Sequence, residues 1–271
     1  MFHQPDAGTR ASAERHAAAP LLELEDVEMD RGGKGGGRYL LRVRALRLER
    51  GARLGLVGPS GSGKSTLLEI LGLMSWPTRI GAFQLARRDA NAAEPPHELA
   101  QLLRARDGAR LTPVRASRVG FVPQDGGLLP YLDVMGNARL AARLARDAGG
   151  QGLDAPEIKR LADRIGLGGP LLRRAPGVLS GGQRQRAAVL RALAAGSDLI
   201  IGDEPTGALD PSTSADVMRQ IEACAAAAGA AVVLASHDET LLRAHGYRVA
   251  RIVETREAGA RVATLEPEDA S

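Results

Sequence analysis

Gly58-Pro59-Ser60-Gly61-Ser62-Gly63-Lys64-Ser65-Thr66 constrains this chain more than any other stretch. It fits G-x-x-x-x-G-K-[ST], a pattern that reads as a phosphate loop when a strand leads in and a helix leads out. Both are legible. Leu54 to Val57 is a short apolar run, as a buried strand requires, and Leu67 to Leu71 keeps its apolar residues on one helical face. Glycines let successive backbone N–H groups turn inward as a nest for anionic oxygens. The following helix aims its positive end at the same point. In that geometry Lys64 reaches the outer phosphates, and the Ser65 hydroxyl is a ligand for Mg²⁺. Lysine is scarce here, with only Lys34, Lys64 and Lys159 in the chain, so Lys64 is not a by-product of composition.

A chain of 271 residues, 44% hydrophobic, is long enough for one large α/β domain or a domain with a subdomain. Cys224 is the sole cysteine, so no intramolecular disulfide forms, which fits a reducing cytoplasm. The net charge of +4 is carried almost wholly by arginine. Nucleic acid or an anionic membrane could exploit it, but a compositional preference for arginine explains it more simply. At 3%, aromatics are too few for a platform that stacks single-stranded bases. The longest nearly apolar run, Cys224 to Ala235, is shorter than the ~20 residues that span a bilayer. Residues 1–20 are charged and lack the apolar core of a secretory signal. The expected location is the cytoplasm, unless a partner holds the protein at a membrane.

Taken in order, residues 1–20 read as a disordered tail. Leu22 to Met29 and Leu40 to Leu48 alternate as strands, which predicts an antiparallel sheet beside the nucleotide core. Residues 86–117 read as a charged surface excursion with a short helix around Glu98 to Arg104. Val119 to Val122 is the next buried strand and runs into Pro123-Gln124. Helical spacing over Val134 to Arg146 and Glu157 to Ile165 predicts a helical subdomain inserted at about residues 125–178. Leu179-Ser180-Gly181-Gly182-Gln183 then opens a helix with a capping box. Two glycines in a first turn cost helix propensity, so close approach of a ligand to the backbone is their best use. Leu199 to Gly202 is a buried strand ending in Asp203-Glu204, and Ala230 to Ala235 is another, ending in Ser236-His237-Asp238. In open parallel sheets ligands bind beyond the carboxyl ends of strands. One acid there suits Mg²⁺ and the other an attacking water. His237 can donate to a γ-phosphate, although a lone histidine after a strand is more often a turn or cap residue. The stretch after Val253 reads as a small terminal strand and an acidic end.

These stretches together resemble the nucleotide-binding subunit of ATP-binding cassette (ABC) transporters, over about residues 21–255. The P-loop is shared by many NTPases. Leu179 to Gln183 followed by Arg184-Gln185-Arg186 is similar to the family signature, and Asp203-Glu204-Pro205-Thr206, Ala208-Leu209-Asp210 and His237 follow in the family's order. The resemblance implies an α/β fold: a P-loop NTPase core with a mainly parallel sheet, an N-terminal antiparallel β subdomain, and the inserted α-helical subdomain. Residues 256–271 would be a C-terminal tail. It also implies ATP and Mg²⁺ as cofactors. Gly58 through Thr66 would hold the β- and γ-phosphates; Ser65, Gln124 and Asp203 would serve the metal. Glu204 would be the general base, with His237 on the γ-phosphate. Ser180, Gly181, Gly182 and Gln183 would complete the ATP site of a second protomer, with Asp210 at that homodimer interface. The family places an aromatic ring after the first strand to stack on adenine. Met29 to Arg31 supply none; Arg31 offers a guanidinium plane instead, and Tyr39 falls later, near the second strand.

Val119 to Leu140, with Gln124 to Pro130 and Val134-Met135-Gly136-Asn137, is similar to the lipoprotein-release, macrolide-export and cell-division type of ATPase. The implied role is a motor coupling ATP-driven closure to a separate integral membrane subunit, peripheral on the cytoplasmic face of the inner membrane. One rival is an ATPase of the same type that regulates a membrane-anchored cell-wall enzyme. Another is a soluble ATPase acting on nucleic acid or ribosomes. The latter would show tandem cassettes, a coiled-coil insertion or zinc-finger cysteines, and the chain has none of these, so no nucleic-acid partner is expected. A P-loop kinase would leave the signature and Glu204 without a use.

Overall fold

In a computed structural model, residues 20–32, 38–88, 95–207, 209–257 and 259–266 are described. The expected N-terminal tail, most of the glycine turn before the second strand, Ala208 and the last five residues lie outside them. Alternating buried and exposed positions make Leu22–Gly32 (β1) and Arg38–Leu48 (β2) strands, and they pair antiparallel from Leu22↔Leu48 to Arg31↔Tyr39 and beyond. The nucleotide core uses the other kind of strand, short and apolar throughout because both faces are covered. These are Arg53–Val57 (β3), Val119–Val122 (β6), Leu199–Asp203 (β7) and Ala231–Ala235 (β8), which run parallel in the order β3-β8-β7-β6.

Arg248–Glu257 (β9) and Ala260–Glu266 (β10) form an antiparallel hairpin that joins the two halves. β9 lies parallel to β3 and β10 parallel to β2. With Ala82–Leu85 (β4) and His97–Glu98 (β5) on the far edge, one ten-stranded sheet results. The ladder therefore continues past 255, and the last described strand sits at the sheet's centre.

Period-two alternation sorts the parallel strands' side chains into two cores. Leu199, Ile201, Ala231, Val233 and Leu56 face one way, onto Lys64–Leu71 (α1). Ile200, Val232 and Leu234 face the other, onto Gly181–Ala194 (α6) and Pro211–Ala228 (α7). Val134–Asp147 (α4) and Ala155–Arg164 (α5) occupy much of 125–178, and their buried Val134, Ala138, Ile158 and Leu161 share this second core.

Leu99–Arg104 (α2) matches the expected short helix. The excursion holds a second one, Gly108–Arg118 (α3), with Pro113 inside it. Proline interrupts a helix by removing a donor, but tertiary anchors compensate. Asp107 caps the first turn, Arg115 donates to the Leu73 carbonyl at 3.0 Å, and Arg118 binds the buried Asp198. Arg88 reaches the same carboxylate at 3.0 Å, tying the excursion to the start of β7. Helix α7 has no amphipathic signal strong enough to announce it, because eight of its eighteen residues are alanine or serine. It is set by Asp210 as N-cap, Pro211 at the first turn and Gly229 in the left-handed conformation at its end. Glu239–Ala244 (α8) links β8 to β9. Among the described residues, no helix is long and apolar enough to cross a membrane.

Candidate functional site

The register puts the strand ends side by side. Leu56 and Asp203 both pair with Ala235, and Val122 pairs with Gly202. The residues that follow these ends, from Gly58, Gln124, Glu204 and Ser236 onward, therefore emerge along one edge of the sheet. A cleft of about 360 Å³ opens there, lined by Ser60, Gly61, Lys64, Ser65, Gln124, Glu204 and His237 together with Arg31 and Tyr39. The sequence motifs and the family resemblance group the loop, Gln124, Glu204 and His237, and the parallel register sets them along this edge.

The loop has the conformation a phosphate nest needs. Gly61 and Gly63 have φ of 77° and 97°, values that side chains rarely adopt. A Cβ on Gly63 would lie 2.0 Å from the Tyr39 hydroxyl oxygen. That hydroxyl donates to the Ser62 carbonyl at 2.8 Å, so a strand of the antiparallel half braces the loop. Tyr39 is thus part of the site. In the sequence it seems too late to reach it, but its register opposite Arg31 and its side of β2 aim it at the loop. Burial, and then the Glu254 charge, push its phenol up to about 12, so it remains a neutral donor.

Lys64 is 6% exposed, and its Nζ donates to the carbonyls of Gly58 and Pro59 at 2.9 and 3.0 Å. Burial lowers its pKa, while Glu204 and then Asp203 oppose that shift. An ammonium folded back onto its own loop, with no carboxylate bonded to it, is free to exchange carbonyls for phosphate oxygens. Glu204 has a φ of 50°, a left-handed turn that costs a non-glycine residue on the order of 1–3 kcal/mol. The turn takes its carboxylate off the strand line to within 2.7 Å of His237 Nε2. A neighbouring cavity of about 320 Å³ runs from this pair toward Thr206, Leu209 and Leu241.

Ser180 to Gln183 stand outside the cleft. The Ser180 hydroxyl accepts from the Gln183 N–H at 3.2 Å, and the Gln183 side chain accepts from the Ser180 N–H at 3.0 Å. The capping box is formed as the spacing predicts. Ser180 and Gly181 are exposed, and Gly182 packs so near Leu209 that an added Cβ would sit 3.1 Å from it. Asp210 accepts from the N–H groups of Ser212 and Thr213, and these bonds hold its carboxyl well below the usual range.

The donor set suits a metal that arrives with phosphate. Among the described residues no group of three or more acids, histidines or cysteines could hold an ion alone. Mg²⁺ characteristically takes one or two protein oxygens and completes its shell with phosphates and water. Ser65 and Gln124 line the cleft with oxygens of that kind. Asp203 ends β7 and is not part of that lining, though its charge acts on Lys64.

Residues 41–207 match the family described as ABC transporter. The macrolide export ATP-binding/permease protein MacB of Bordetella avium is 38% identical over 240 residues, covering 88% of this chain and 33% of that protein. The chain thus spans about a third of the length of that relative. The lipoprotein-releasing system ATP-binding protein LolD of Maricaulis maris is 37% identical over 221 residues, covering 82% of this chain and 89% of that protein. Among solved structures, the ATP-binding cassette MJ0796, a dimer in a post-hydrolysis state bound to ADP and Pi, superposes with a TM-score of 0.68. Identity there is 27%, with 92% of this chain and 97% of that one covered. This chain belongs to the ABC transporter family and carries its ATPase domain.

Proposed function

We propose that the chain is the ATP-hydrolysing motor of a transporter, whose two copies close on ATP and thereby drive an integral membrane subunit. One observation carries this reading. The phosphate loop, Gln124, Glu204 and His237 share a cleft, while the signature at Ser180 to Gln183 caps an exposed helix end outside it. A helix N-terminus with bare N–H groups suits phosphate oxygens, and a second copy would supply it to the open side of the cleft. That the related cassette MJ0796 is a dimer supports the arrangement.

In this mechanism the Gly58 to Thr66 amides and Lys64 hold the β- and γ-phosphates. Ser65, Gln124 and Asp203 serve Mg²⁺, whose charge would neutralise that building on the phosphate oxygens. Glu204 takes the proton of the attacking water, and His237 orients that carboxylate and contacts the γ-phosphate. Ser180, Gly181, Gly182 and Gln183 engage nucleotide on the partner copy, with Asp210 beside them. The segment after Gln124 presents the face for the membrane subunit. Tyr131 is 77% exposed there, yet its loop is rigid: the buried Asn137 accepts from Leu129 N–H and donates to the carbonyls of Leu129, Leu132 and Asp133. The protein would sit on the cytoplasmic face of the membrane through that contact.

The test is purification of tagged Glu204→Gln from detergent-solubilised membranes in ATP, with mass spectrometry of what accompanies it. The variant should bind ATP, lose turnover by about 10²-fold or more, and bring a stoichiometric integral membrane protein. Recovery of only a soluble homodimer, or of ribosomes or nucleic acid, would overturn the motor reading.

A further inference from the structure

A separate cavity, of about 330 Å³, lies between α5, the end of α6 and the last turns of α7. It belongs to the other end of the strands from the nucleotide cleft. Asp198, on its wall, precedes β7, whereas Glu204 follows that strand. Small-molecule sites typically occupy about 300–1,000 Å³, with mostly apolar walls and a few polar groups. Leu153, Leu161, Leu193 and Ile200 supply apolar walls here. Ser197 lines the cavity too. It is 5% exposed, and its Oγ has no hydrogen-bond partner among the described residues. Buried hydroxyls are ordinarily bonded, so an orphan on a cavity wall marks a place for a polar ligand atom.

The charges on the wall select the ligand. Two acids line the cavity, and both are engaged. Glu157 accepts from the Asp154 N–H at 2.7 Å in the cap of α5, and Asp198 is held by Arg88 and Arg118. Arg164 lines it as well, in the last turn of α5, and no acid bonds its guanidinium among the described residues. Its charge reaches the Cys224 thiol on α7, where it opposes the rise that burial imposes on that thiol's pKa. A helix C-terminus favours a cation. That accounts for a charge at the end of α5, but not for a planar fork bordering an apolar cavity. Such a fork matches a carboxylate or a phosphate. One cation beside two acids suits a head with a single negative charge, a carboxylate rather than a phosphate. We infer that this cavity binds a small amphipathic carboxylate, its apolar body between α5 and α7 and its head on Arg164. The site is independent of the ATPase reading and adds a second ligand to it.

Cys224 makes the test specific, because it is the sole cysteine of the chain and it lines the cavity. Alkylation of the full chain by N-ethylmaleimide is timed with and without octanoate. Occupancy covers the thiol and neutralises the charge that favours its thiolate, so the rate should fall. At about ten times the dissociation constant the fall should be about tenfold, with that constant at about 1 mM or below. Acetate lacks the apolar body, and octyltrimethylammonium carries the opposite charge. Each should bind at least about tenfold more weakly than octanoate. Arg164 is an exposed helical residue, so Arg164→Gln should fold as the parent does. It should weaken octanoate by about tenfold or more. No saturable protection, equal protection by octyltrimethylammonium, or an unchanged dissociation constant in Arg164→Gln overturns the inference. Each of these results leaves the ATPase reading where it stands.

Discussion

His237 Nε2 lies 2.7 Å from Glu204 Oε1, although the two residues end different strands. The contact exists because Asp203 and Ala235 are register partners and Glu204 turns through a φ of 50°. Glu204 is the more buried of the two, at 19% side-chain exposure against 53% for His237. The histidine is therefore the more exposed partner, laid over a more buried carboxylate. If it positions that carboxylate for water, the two act as one unit, and their mutational costs do not add. Glu204→Gln, His237→Ala and the double variant should be compared by single-turnover ATP hydrolysis. The double variant should be no slower than the worse single one, within about threefold. Additive losses in log rate would mean that they act independently.

The bracing of the loop by Tyr39 makes a second prediction. Gly63→Ala places a methyl group 2.0 Å from the Tyr39 oxygen at a φ of 97°. Both the clash and the backbone strain oppose it, at a combined cost of more than about 2 kcal/mol. Tyr39→Phe removes the bond to Ser62 and leaves its carbonyl unpartnered by Tyr39, a loss of about 1 kcal/mol. Thermal unfolding should rank Gly63→Ala below Tyr39→Phe. Adding Tyr39→Ala to Gly63→Ala should restore part of the loss, because the clash goes while the strain remains. No restoration would show that backbone strain alone carries the cost.

How far the sequence revealed this site depended on whether a residue's role was local. The phosphate loop, the capping box at Ser180 and the acids at the end of β7 are each set by a few neighbours, so spacing exposes them. Buried runs such as Leu199 to Ile201 are legible for the same reason. Tyr39 was hidden because its partner, Ser62, lies across two strands, and only register puts it there. Helix α3 was hidden because Pro113 argues against a helix locally, while Asp198 and the Leu73 carbonyl hold it from afar. The hairpin of β9 and β10 carries charges typical of a tail. Its place between β2 and β3 comes from backbone pairing, which composition does not record.

Helix α7 should loosen first at its N-terminus in acid. Asp210 is exposed, and its carboxylate accepts from the N–H groups of Ser212 and Thr213 and from the Ser212 hydroxyl. Those bonds lower its folded pKa below the unfolded value. A depressed carboxyl contributes stability that is present above the unfolded pKa, near 4, and is lost as pH falls through the folded pKa. Amide exchange at Ser212 and Thr213 in the parent should therefore stay slow at neutral pH. Once intrinsic rates are corrected for, it should quicken below about pH 4. Asp210→Asn keeps a capping oxygen without the titration, so its protection at these amides should be nearly flat through the same range. Asp210→Ala should lose that protection at every pH. If Asn and Asp behave alike in acid, the cap is a geometric one, and its charge adds nothing to the start of the helix.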